Sequence, residues 1–233
     1  MKRLLSFLIM MFVLFLMAIA FKYGGENYFP LIITLIVFCI VIISYFYFEK
    51  SYMGTKEIAL IGGISAFAAA SRVVLAAIPN VQPVTFIVAL SGIVFGSFEG
   101  FLIGSTTAFI SNIFLGQGPW TPWQMFSWGI VGYLSGIIGK KDKKLSVELF
   151  SVICFLYGFM FDWIMNLWHV LGFIRPINIK TVFLAYASGI TFDVMHAVGN
   201  FVFCIVFYDK FYKILLRFKK KMKVTYIKEG EKT

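Results

Sequence analysis

Long apolar runs, almost free of charge, follow one another from end to end of this chain. Eight can be counted, at about 4–21, 29–48, 58–78, 84–97, 100–115, 124–139, 147–168 and 183–207. A helix needs about 20 apolar residues to cross the hydrocarbon layer of a bilayer. The first three runs and the last two reach that length. The runs at 84–97, 100–115 and 124–139 are short, so those segments are tilted little, are broken, or stop below one face. Only 14% of the 233 residues are charged and 60% are hydrophobic, against about 25% charged in a soluble domain. The expected fold is therefore an all-α integral membrane bundle.

The charge that remains is placed by the membrane. The chain carries 21 Lys+Arg against 11 Asp+Glu. Its basic residues lie beside apolar runs rather than on a folded basic domain, which excludes a nucleic-acid-binding reading. With the N-terminus inside, 17 of them fall in inner segments and only Lys22, Arg175 and Lys180 in outer ones, with Arg72 left inside a span. The positive-inside rule then gives a multi-pass protein of the cell membrane with both termini cytoplasmic. Residues 1–55 hold the first two spans. Met1-Lys2-Arg3 and Ala18-Ile19-Ala20 fit a cleaved signal, but the run between them is long for one and favours an uncleaved anchor. Residues 211–233 form a basic tail, with Phe211, Ile214, Leu215 and Phe218 among its lysines. Such a tail is suited to lie along an anionic leaflet.

All six prolines fall on the outer side, at Pro30, Pro79, Pro83, Pro119, Pro122 and Pro176. Most of the tryptophans gather there too. The segment Gly116-Gln117-Gly118-Pro119-Trp120-Thr121-Pro122-Trp123-Gln124 mixes rigid turns, aromatics and amides. An interfacial aromatic belt accounts for Trp168 but not for this loop. The loop has the composition of a binding loop.

Ionisable groups inside spans are costly and mark pairs or sites. Arg72 and Asp162 each lie six residues from the outer end of their spans, about 9 Å deep at 1.5 Å per residue, so they are expected to pair. Asp162, Asn166 and His169 share one helix face, as do Asp193, His196 and Asn200. Neither face has metal-ligand spacing. The cysteines Cys39, Cys154 and Cys204 lie in apolar runs and read as small apolar residues. No nucleophile, zincin or Walker motif occurs, so no catalytic residue, metal or cofactor is expected, and the chain is not expected to hydrolyse ATP. Small residues form two ladders. Gly62, Ala66 and Ala70 make a flat stripe suited to a partner helix. Gly92, Gly96, Gly100, Gly104 and Ala108 cross a turn and read as packing between two short helices.

These features together resemble the substrate-binding S component of energy-coupling factor (ECF) vitamin transporters, over about 56–210. The resemblance rests on six spans with both ends inside and on the Gly62/Ala66/Ala70 stripe, which is similar to the family's docking motif. It rests also on Pro83-Val84-Thr85, Ser111-Asn112 and the run from Gly116 to Met125, which looks most like the cobalamin branch. It implies a six-helix bundle at 56–210, preceded here by two extra helices. It implies a non-enzymatic subunit that binds a vitamin, cobalamin or a related corrinoid, from outside. The partners implied are a transmembrane coupling subunit and two cytoplasmic ATPases, which supply the ATP hydrolysis. The expected substrate contacts are Asn80, Gln82, Asn112, Gln117, Trp120, Trp123, Gln124, Asp162, Asn166 and His169. Two other classes remain open. One is a membrane enzyme acting on a lipid or isoprenoid through Asp162, His169, Asp193 and His196. The other is a ligand-free scaffold.

Overall fold

The computed structural model describes residues 25–49, 54–139 and 144–230, with side chains described for 30–46, 54–139 and 144–221. The expected first span at 4–21 lies outside the described residues. The described residues form seven helices: α1 (Gly25–Glu49), α2 (Thr55–Val74), α3 (Val84–Phe95), α4 (Ser97–Leu115), α5 (Thr121–Gly139), α6 (Val147–Phe173) and α7 (Ile179–Gly230). No strand occurs among them. Four of them, α2, α4, α6 and α7, are long and apolar enough to cross a membrane.

Local signals set several boundaries. Glu57 reaches back to the Gly54 N–H at 3.0 Å and closes the first turn of α2. Ser146 accepts from the Leu149 N–H and starts α6. Asn178 does the same for α7 through the Thr181 N–H. These acceptors satisfy N–H groups that a helix start leaves unpaired.

The shortest helix is the most enclosed. Helix α3 has 12 residues, and every residue from Val84 through Val94 is buried. At about 1.5 Å per residue it rises about 18 Å, too little to span the apolar layer alone. It need not do so, because α2, α4, α5, α6 and α7 all pack on it. Gly96 alone separates α3 from α4, at φ 130°, a conformation that disfavours any side chain.

The glycine ladder explains how α3, α4 and α5 come so close. A Cβ at Gly92 would lie 2.2 Å, and one at Gly100 2.5 Å, from the Gly132 carbonyl oxygen. A Cβ at Gly104 would lie 2.2 Å from the Trp128 carbonyl oxygen. Both short helices of the ladder thus rest on the α5 backbone. Close backbone approach over small residues is the main source of helix affinity where lipid is as apolar as the core.

The core centres on α3 and Trp128, with Phe86, Phe150, Leu102, Ile103 and Tyr208 buried around it. The outside is apolar as well: Phe109, Phe114, Leu156, Trp163, Phe183 and Ile205 are all exposed. Such a surface suits lipid rather than water.

Helix α1 packs against α4, α5 and α6. Its Val37 is buried with Trp123 and Leu171, Thr34 accepts from Trp123 Nε1 at 3.1 Å, and the Tyr45 and Thr106 hydroxyls are 2.6 Å apart. At the other end of the chain, α7 is continuous from the last apolar run into the basic tail. Two of the tail's apolar residues pack on the bundle, while Ile214 and Phe218 are exposed. Phe211 packs at a tilt against Phe67 and edge-on against Phe86, and Leu215 is buried in the core.

The connections 75–83, 116–120 and 174–178 meet at one end of the bundle, which carries Pro79, Pro83, Pro119 and Pro176 and is called here the proline end. The opposite end, with Lys56, Lys144 and Lys213, is the lysine end.

Candidate functional site

The topology brings four helix termini and one connection together at the proline end: the last turns of α2 and α4, the first turns of α3 and α5, and the connection 75–83. Each brings a polar side chain. Arg72, in the last turn of α2, is only 9% exposed. Its Nε donates to Gln82 Oε1 at 2.8 Å, and its Nη1 donates to Ser111 Oγ at 2.6 Å and Asn112 Oδ1 at 2.7 Å. The guanidinium lies over the Trp128 ring, 4.9 Å from its centroid. Asn112 in turn donates to Thr121 Oγ1 and Gln124 Oε1 at 3.1 and 2.7 Å.

A second cluster lies one bond away. Asn80, held at φ 56°, donates to Asp162 Oδ1 at 3.1 Å and to the Phe192 carbonyl at 3.0 Å. Asp162 Oδ2 lies 2.9 Å from His196 Nδ1. The other nitrogen of His196 meets Thr85 Oγ1 at 3.0 Å, and Thr85 accepts from Trp128 Nε1 at 3.0 Å. Gln82 donates weakly to Asn80, at 3.4 Å, and so joins the two clusters. Asp162 and His196 are buried, and both carboxylate oxygens of Asp162 and both ring nitrogens of His196 have a partner, as a low-dielectric interior requires.

The expected Arg72–Asp162 pair does not form. Arg72 is bonded to neutral acceptors, and Asp162 is paired with His196. Gln82 and Asn80 stand between them. Equal depth along two spans did not place them face to face, because Pro83 ends a connection that inserts two amides into the gap.

Arg72, Asn80 and Gln82 line a polar cavity of about 180 Å³ with Leu75, Ala76, Ile78, Val81 and Leu115. Among the expected substrate contacts, only Asn80 and Gln82 line it. Asn112 and Asp162 stand one bond behind it, and Gln124 one bond further. Asn166 faces Asp193, with its Nδ2 3.4 Å from Oδ2. His169 is exposed and stacks on Phe173, apart from both clusters. Gln117 is spent inside its own loop, donating to the Phe109 carbonyl and accepting from Thr121. Trp120 packs edge-on against Trp168 under Gly118. Trp123 is 3% exposed and holds α1. The sequence missed Thr85, Ser111 and His196 as members of the network, and took Arg72 only as half of an ion pair. Thr85 and Ser111 sat in motifs already noted, but nothing in their spacing gave their depth.

The small-residue stripe lies elsewhere. Gly62, Ala66 and Ala70 are exposed on α2, and nothing stands within 4 Å of a Cβ built at Gly62 or Gly63. Beside it, α2, α3 and α7 enclose an apolar groove of about 570 Å³ toward the lysine end, lined by Lys56, Leu60, Phe67, Leu90, Phe211 and Phe218 among others.

A helical membrane bundle with a polar cavity at one end and a bare small-residue face beside it has the parts of a membrane-embedded solute-binding subunit. The family profile described as ECF-type riboflavin transporter, S component, matches residues 52–217. The chain belongs to that family and is an S component of an ECF-type transporter, a multi-pass membrane protein of vitamin transport. No curated protein and no solved structure gives a significant match.

Proposed function

We propose that this S component takes up riboflavin, or a vitamin of the same ring type, through the cavity lined by Arg72, Asn80 and Gln82. The observation that carries the reading is that cavity. It is polar, it lies at the end where the connections meet, and two amides and a guanidinium converge on it. A flavin ring offers neighbouring carbonyl and N–H groups, which such a lining can meet. The family description adds support. Cobalamin, expected from the run at 116–124, has less: that run bonds to itself and to Thr34, Phe109 and Asn112 of the neighbouring helices.

The 17-to-3 distribution of basic residues supports a proline end facing outside and termini facing the cytoplasm. The bare Gly62/Ala66/Ala70 stripe is then the docking face for the transmembrane coupling subunit, which carries two cytoplasmic ATPases. Helix α1 packs on α4–α6, so a partner helix can reach the stripe. Cells expressing the chain with a coupling subunit and ATPases should accumulate labelled riboflavin and not labelled cobalamin. Accumulation of cobalamin alone would replace the ring type; accumulation of neither would remove the vitamin reading.

A further inference from the structure

Arg72 is a buried cation without an anion. Among the described residues no carboxylate lies within ion-pair distance of it, and its three bonds go to a neutral amide, a hydroxyl and a second amide. Asp162 belongs to His196 and is separated from Arg72 by Gln82 and Asn80. A buried charge left in this state costs several kcal/mol relative to one that is paired, so a bundle with no use for it would gain by replacing it. Three of its features favour a ligand-facing role. Nε and Nη1 are both bound, and the guanidinium plane is set against Trp128, so the fork is fixed. Among the described residues Nη2 has no hydrogen-bond partner, and it is not fully buried. The side chain lines the cavity beside Asn80 and Gln82.

We infer that Arg72 selects the ligand of this cavity by donating from Nη2 to an acceptor-only, negatively polarised edge. In a flavin-type ring that edge is a carbonyl oxygen beside the N3–H group; in another vitamin it is a carboxylate. Arginine supplies a fixed donor direction that lysine does not, and hydrogen bonds to charged groups are the stronger ones. The cavity therefore disfavours cationic vitamins. The inference rests on the cavity being the vitamin site.

The test uses the purified full chain in lipid nanodiscs, titrated with riboflavin by calorimetry and flavin fluorescence. Arg72→Gln should weaken riboflavin binding about tenfold to hundredfold, and Arg72→Lys should recover part of the loss. Flavin bound to the wild type should release its N3 proton at a lower pH than free flavin, because the guanidinium stabilises the anion; this arm needs no variant. Affinity of Arg72→Gln within about twofold of the wild type overturns the inference, as does an N3 proton that leaves at the same or a higher pH. If the wild type does not bind riboflavin, the ring type fails separately. The same titration with biotin and pantothenate as carboxylates then decides on Arg72: carboxylate binding that Arg72→Gln abolishes upholds it. Thiamine as the ligand bound, or no binding at all, overturns it.

Discussion

At the scale of single residues, the polar ring Arg72–Gln82–Asn80–Asp162–His196–Thr85–Trp128 ties five helices and one connection together. Asp162→Ala would leave His196 Nδ1 without its partner and take one of the two acceptors from Asn80 Nδ2, and an orphaned buried group costs about 1–3 kcal/mol. A clear fall in Tm in detergent or nanodiscs is expected. His169→Ala should lie within about 0.5 kcal/mol of the wild type, as an exposed position away from the network does. Sequence spacing placed Asp162, Asn166 and His169 on one helix face, and treated that face as one unit. The structure divides it. Asp162 meets His196, Asn166 meets Asp193, and His169 meets only Phe173. A shared face gives direction around an axis; which neighbour stands opposite depends on how α6 and α7 cross, and spacing does not carry that.

At the scale of elements, the helices were legible and their joints were less so. Seven of the eight apolar runs correspond to α1–α7, because lipid demands internally bonded backbone and leaves little else for an apolar run to become. The glycine ladder was legible as packing. Its counterpart on α5 was not, since Gly132 meets Gly100 and Gly92 only once three helices are assembled. Gly132→Ala would put a Cβ 2.0 Å from the Gly100 carbonyl oxygen. Overpacking of that kind costs about 1–3 kcal/mol, and the helices must part to admit it. Thermal unfolding should show a marked loss, greater than for Gly62→Ala, where the space is open. Trp123 teaches the opposite lesson. Its loop looked like a ligand loop, yet its indole N–H serves α1. Thr34→Val should cost about 0.6–2 kcal/mol of stability, the range of a hydrogen bond between membrane helices. It should leave vitamin affinity unchanged, which separates an anchor from a ligand contact in one titration.

At the scale of the whole molecule, the two ends of the bundle divide the work. The proline end gathers buried polar groups around a small cavity. The α2 face and the groove toward the lysine end are apolar and open, with Phe211 and Phe218 of the tail completing the groove's wall. The Gly62/Ala66/Ala70 stripe was legible as a flat small-residue face, but spacing alone did not show that it stands bare, since the ladder from Gly92 to Gly104 has the same spacing and is packed inside the bundle. The tail's place could not, because an amphipathic helix fits a leaflet and a bundle equally well by composition. Replacing Ala66 and Ala70 together by Trp should abolish co-purification with a coupling subunit and spare vitamin binding. Retained co-purification would remove the stripe from the docking face.

In the proposed function the chain alone holds a vitamin at the proline end. Calorimetry of the purified protein, free of any partner, tests it against riboflavin and cobalamin side by side. The account predicts saturable riboflavin binding that is weakened by Asn80→Ala. Riboflavin binding that Asn80→Ala leaves intact, or binding of cobalamin in its place, would contradict it.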